Sequence, residues 1–321
     1  MRNPFKFKGV ISVALTAALV SFGGAAKAEY PEKPVEMTVL FGGTANTIAQ
    51  LLSELMSEEL DQPVVPVARN GGGGAVGYSH MQSALPDGYS IVWNSNSIST
   101  TYHTGRIPFD YTAFTPIARV SVEIPALAVN SSTGWASLAD LVAAANADDG
   151  KLKVGISGKG SFTHLTSAAL FDAMGIGDKV AYISYGDGKA PIELLAGRID
   201  AAIQWPGQFA SYAESGDLTV LAVTGDERAG VLPDVPTAQE QGIDVNISMW
   251  RGLAAPAGTS TEVVTVLEAA ARNAVESERF TEAAANIGFS KAYLNAADFG
   301  ELIASDDVFY GNLLNQLGMA K

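Results

Sequence analysis

The sequence predicts an α/β protein with largely parallel sheets. Short apolar runs alternate with segments of helical period along the chain, and the stretches that follow the runs are rich in Gly, Ser, Thr and Asn. About 290 residues follow an apolar leader, a length that suits two domains better than one.

Taken in order, the chain opens with Arg2, Lys6 and Lys8, an apolar run over 10–20 and the A-x-A tripeptide Ala26-Lys27-Ala28. That is the form of a secretory leader, residues 1–28, cleaved near Ala28. Its run is too short for a membrane anchor, which needs about 20 apolar residues. An exported, soluble chain starting near Glu29 is therefore expected.

The run VEMTVLF predicts a strand over 35–41, and the spacing of TIAQLLSELMSEEL predicts a helix over 47–60. PVVPVA predicts a strand over 63–68, followed by four glycines at 71–74 and a short helix near 76–84. The glycines fit a tight or mobile turn or, alternatively, a phosphate cradle. The turn signal PDGY precedes a strand over 90–93. Strands over 152–156 and 180–184 each lead to a helix, about 163–174 and about 190–196. Further strands are predicted at 199–203 and 218–224. Thr259-Ser260-Thr261-Glu262 reads as a capping box opening a long helix, and a last helix runs over about 296–317.

Ligands of such sheets bind beyond the carboxyl ends of the strands, where helix starts present unpaired backbone N–H groups. That edge carries Gly43, Thr44, Ala45, Asn46 and Thr47, then Asn94 and Ser95. It also carries Ser157, Gly158, Gly160, Ser161, Thr163 and His164, and finally Tyr185, Gly186 and Gln204. These are the candidate ligand-binding residues. Trp205 and Trp250 adjoin strand ends and are cleft candidates, whereas Trp93 and Trp135 are read as core.

Several chemistries fit poorly. The chain has 20 Lys and Arg against 34 Asp and Glu, a formal net charge of −14. The leader holds four of the basic residues, so the mature chain is more acidic still and its surface repels nucleic acid and anionic lipid. Cys is absent, which removes thiol catalysis and Cys metal sites. In VGISGKGSFTHLT, over 154–166, Lys153 and Gly160 break the P-loop pattern, and Thr163 stands where a dinucleotide loop needs Gly. G-x-S-x-G and H-E-x-x-H are missing, so neither a hydrolase elbow nor a catalytic zinc is expected. The acidic pairs Asp148-Asp149 and Asp306-Asp307 look like solvated ends. No catalytic residue, metal or cofactor is assigned.

Seven stretches, in order, resemble one family. They are YPEKPVEMTVLF, QPVVPVARNGGGGAVG, ALPDGYSIVW, GISGKGSFTHL, ISYGDGKAPIELLAGRIDAAI, LAVTGDERAGVLPDVPTAQEQGI and WRGLAAPAGT. The chain resembles the periplasmic solute-binding proteins of tripartite tricarboxylate transporters, the Bug family. The resemblance implies a type II periplasmic-binding-protein fold, with two α/β lobes around a ligand cleft. The expected limits are 29–127 and 222–321 for the first lobe and 128–221 for the second, with crossings near 122–129 and 220–224. It also implies a small organic carboxylate handed to a two-subunit inner-membrane permease, by a monomer that closes on its solute. Two other readings stay open: an exported Ser/His carboxylesterase-like enzyme using Ser161 and His164, and a solute-binding partner of a membrane sensor.

Asn46 stands where many relatives carry Asp. An Asp suits a ligand with an ammonium group; Asn removes that charge, so a plain di- or tricarboxylate or an aromatic carboxylate is expected over an amino acid. The alternative role for Asn46 is as N-cap of the helix over 47–60. Lys159 and Arg251 are open candidates for ligand contact.

Overall fold

A computed structural model describes residues 1, 30–147, 149–186 and 188–321. The predicted leader after Met1, Glu29, Asp148 and Asp187 lie outside the described residues. Two mixed sheets organise the chain. The first has six strands in the order β11-β4-β10-β3-β1-β2; the second has five, β7-β6-β8-β5-β9.

In the first lobe β1 (Val35–Val39), β2 (Val64–Ala68) and β3 (Ser90–Ser95) are parallel. β10 (Met249–Pro256) runs antiparallel to both β3 and β4 (Phe114–Glu123), and β11 (Ser290–Leu294) closes the edge. Central strands buried on both faces lose the period-2 signal: all eight residues of β10 are buried. α1 (Thr44–Leu60) lays Ile48, Ala49, Leu52, Leu55 and Met56 on this sheet, and α8 (Thr261–Glu276) adds Leu267, Ala270 and Ala271 to the same core.

In the second lobe β6 (Leu152–Ile156), β7 (Val180–Ser184) and β8 (Ala201–Gln204) are parallel, while β5 (Ala126–Asn130) runs antiparallel to β8 and β9 (Leu218–Val223). α5 (Phe162–Ala173) packs Leu165, Leu170 and Phe171 against it.

The chain passes from one sheet to the other between Glu123 and Ala126. It leaves the second sheet at Val223, but Ala229, Leu232, Ala238, Val245 and Ile247 still pack in the second-lobe cores. Met249 rejoins the first sheet. A third link is the terminal helix α10 (Ala296–Gln316): Phe299 and Ile303 lie in a first-lobe core, Tyr310 and Leu314 in a second-lobe core. Asp306 sits between these halves. It is not a solvated end: its Oδ2 accepts from Trp250 Nε1 at 2.6 Å and from Asn96 Nδ2 at 2.9 Å. Burial lifts its pKa to about 6. Asp307 faces His103 at 3.2 Å. Trp250 is accordingly committed to this buried joint, edge-on to Phe299, and does not reach the cleft.

Helix starts depart from the sequence reading in two places. α1 begins at Thr44, with Gly43 as N-cap at φ 60° and ψ −140°, a backbone conformation open to glycine. Asn46 is therefore inside the first turn and is not the cap. α8 is capped by Ser260, whose Oγ accepts from the Val263 N–H at 3.4 Å, while Thr259 turns back to the Pro256 carbonyl. Among the described residues no helix is long and apolar enough to cross a membrane.

Candidate solute cleft between two helix starts

A cavity of about 500 Å3, its mouth included, lies between the lobes. One wall is the start of α1: Gly43, Thr44 and Ala45. The facing wall is the start of α5: Ser161, Phe162 and Thr163. In each helix these are the N-cap and the first two helical positions. Backbone N–H groups there have no intrahelical acceptor, and each helix dipole places its positive end at the same space. Indole N–H donation from Trp93 to the Ala45 carbonyl, at 3.0 Å, anchors the α1 start on β3.

The loop from β6 to α5 is held by its own side chains. Thr163 Oγ1 accepts from the Ser157 N–H at 2.9 Å, and Ser161 Oγ caps α5 through the His164 N–H at 3.3 Å. The Gly160 N–H donates to His164 Nδ1 at 2.9 Å. Gln204 Nε2 donates to Ser157 Oγ at 3.3 Å. The loop is thus fixed before any solute arrives.

Of the sixteen residues predicted for the site, Gly43, Thr44, Ala45, Ser157, Ser161, Thr163 and Gln204 line the cavity. The other nine do not. Asn46 and Thr47 ride on the first turn of α1, with Thr47 Oγ1 turned to the Gly43 carbonyl. Asn94 and Ser95 are buried behind Ser97, in a network in which Tyr78 OH meets Asn94 Oδ1 and Ser97 Oγ, both at 2.8 Å. Gly158 offers its carbonyl to the Ser161 N–H, and Tyr185 and Gly186 donate to the Ile156 and Ser157 carbonyls. Gly160 and His164 bond each other. Lys159 is exposed, and its carbonyl accepts from Arg106 of the first lobe.

The sequence reading did not place Phe41, Gly73, Ser97, Gln208 or Met249 in the site, and it left Arg251 open; all six line the cavity. Trp205 lines it too, stacked on Phe162 at 6.3 Å. Gly73 belongs to a tight turn leading into α2 (Ala75–Gln82), so the glycine run is a connection that also reaches the cavity. Arg251 is 2% exposed, and its Nε donates to the Glu123 carboxylate. A lone basic residue inside the apolar run MWRGLAAPA was the available signal, since a buried charge needs a partner or a function.

Burial holds His164 neutral, with Lys159 and Arg106 adding repulsion, and its pKa falls to about 4. A lowered His pKa means that the unfolded chain binds a proton which the native chain refuses between about pH 6.5 and pH 4. This contribution to stability is lost as pH falls through that window. Asp306 works in the opposite sense: its raised pKa makes the native chain take up a proton first, so acidification below about pH 6 adds stability. His164→Asn keeps an acceptor for the Gly160 N–H and removes only the His164 titration. Urea unfolding at pH 7.5 and pH 4.5 is expected to show the variant losing less stability on acidification than the parent; parallel losses would refute it.

Residues 48–319 match the family model of the tripartite tricarboxylate transporter family receptors. Protein BugT of Bordetella pertussis is 30% identical over 267 residues, covering 81% of either chain. The solved periplasmic binding protein BugD superposes with a TM-score of 0.82 at 27% identity, over 91% of this chain and 100% of BugD. An R. palustris protein solved with adipate gives 0.83 at 25% identity, over 91% and 99%. With its two mixed α/β lobes and the cleft between them, the chain belongs to the tripartite tricarboxylate transporter receptor family, the family of BugT and BugD.

Proposed function

We propose that the protein captures an organic carboxylate in the interlobe cavity and passes it, unchanged, to a two-subunit inner-membrane permease. It acts as a monomer in the periplasm, after removal of the leader at Ala28. The observation that carries this reading is the convergence of two helix starts, one from each lobe, on one cavity. An anion placed there meets oriented N–H donors from both sides, so binding favours the lobes together. Adipate in the R. palustris relative supports the ligand class.

Binding without turnover fits the loop chemistry. A Ser nucleophile needs an imidazole within hydrogen-bond reach. Here Ser161 Oγ meets Thr163 Oγ1 and the His164 backbone, while His164 Nδ1 is occupied by Gly160. The cavity also disfavours amino acids: among the described lining residues none is acidic, so an ammonium group finds no counter-charge. Plain di- or tricarboxylates and aromatic carboxylates are the better solutes.

A ligand at about 100 times its Kd adds roughly 2.7 kcal/mol, an upward Tm shift of about 5–10 °C for a chain of this size. Succinate, adipate, citrate and phthalate are expected to include the largest shift, with small-angle scattering showing compaction and mass spectrometry recovering the acid intact. A largest shift from aspartate or glutamate, or an unchanged radius at saturation, would overturn the reading.

A further inference from the structure

We infer that Arg251 is a charged specificity contact on the cavity floor, taking a second acidic group of the solute, so that the protein selects dianions over monoanions of the same length. This rests on the carboxylate reading above and extends it to a residue of β10 that lies outside both helix starts. Among the described residues lining the cavity, Arg251 is the only one with a charged side chain.

Its environment is built for an absent partner. Glu123 takes the Nε edge of the guanidinium. Nη1 is buried and has no hydrogen-bond partner among the described residues. Its Cζ lies over the Trp205 ring, 5.7 Å from the centroid, and Trp205 itself lines the cavity. Glu123 Oε1 is unmet among the described residues as well, but an unsatisfied buried donor on a charged group is costly, so Nη1 is the atom with most to gain from an anionic partner. Between them, the helix starts present backbone donors on two opposite walls. One carboxylate suffices to meet them, and the guanidinium below remains for another.

The test compares matched acids: succinate, glutarate and adipate against butyrate, pentanoate and hexanoate, by calorimetry on the mature protein. A charge-assisted hydrogen bond discriminates by about 10- to 100-fold, so the best dianion should exceed its matched monoanion by that factor. Arg251→Gln alone strands the Glu123 carboxylate. The informative variant is therefore Glu123→Gln with Arg251→Gln, which keeps volume and removes both charges. Its dianion preference should fall to about threefold or less, with monoanion affinity retained. Arg251→Lys should restore part of the preference. A folded double variant that keeps the preference, or a parent protein that shows none, overturns the assignment of Arg251 and leaves the carboxylate reading standing. If none of the six acids binds the parent protein, both fall.

Discussion

Gly160→Val is expected to weaken solute binding by about 10- to 100-fold while lowering Tm by no more than about 10 °C, the cost of its backbone strain. Gly160 sits at φ 75°, in the left-handed region that a β-branched side chain enters only under strain of about 1–3 kcal/mol. Space is lacking as well: a Cβ there would come within 2.4 Å of Arg106 Nη2. Either the loop rearranges or Arg106 leaves the Lys159 carbonyl, and both outcomes disturb the cavity. The Gly160 N–H fixes His164, and His164 occupies the third position of α5, so a displaced loop moves the donors of Phe162 and Thr163. The second-lobe core lies below this turn and keeps its packing. Calorimetry alongside thermal unfolding checks the result. Unchanged affinity in the folded variant would remove this loop from the site; a matching collapse of Tm would make the effect structural.

What the sequence reveals depends on whether the signal is local. β6 and β7 have the bounds that their apolar runs predict, and α5 and α10 lie within a residue of theirs, because each is an apolar run or an amphipathic period punctuated by Gly, Ser or Asn. α3 (Ser97–His103) is different. Its sequence SISTTYH has no apolar period, yet Ser97 to Thr101 are buried, with Thr101 Oγ1 bonded to the Gly73 carbonyl and Ser97 Oγ to Ser95 Oγ. Tertiary context overrides propensity at such a helix.

The site divides the same way. Ser157, Ser161 and Thr163 are legible because hydroxyls after a strand and before a helix have few other uses. Arg251 is legible only as an open candidate, because its meaning depends on Glu123, 128 residues away in the chain, and on Trp205 across the cleft. Asn46 does not line the cavity, so the preference for plain carboxylates cannot rest on it and rests instead on the described lining residues, none of which is acidic.

Gly207→Val is expected to lower affinity by about 5- to 150-fold without altering any residue of the cavity. Gly207 lies in the short turn after β8, in the second lobe, and meets the end of α9 (Glu278–Ile287), in the first. A Cβ at Gly207 would stand 2.0 Å from the Ile287 carbonyl oxygen and 3.1 Å from its carbon. Those are backbone atoms, which cannot swing aside as a side chain can. The cheapest relief is a small separation of the lobes, since each lobe is internally close-packed and the interface is not covalently fixed. Overpacking of this kind costs about 1–3 kcal/mol, all of it charged to the arrangement that holds solute. A penalty on the binding-competent state lowers apparent affinity by the same factor, which gives the expected range. The unliganded protein should keep its Tm, and scattering should show a more extended particle at saturating ligand than the parent gives. Gly230→Ala is the control: Gly230 is also in the second lobe and lines the neighbouring interlobe hollow, but a Cβ there meets nothing within 4 Å. Equal affinity for Gly207→Val and the parent protein would show that contact at Ile287 is not needed for the state that binds; equal losses in Gly207→Val and Gly230→Ala would show that the hollow, and not closure, sets the effect.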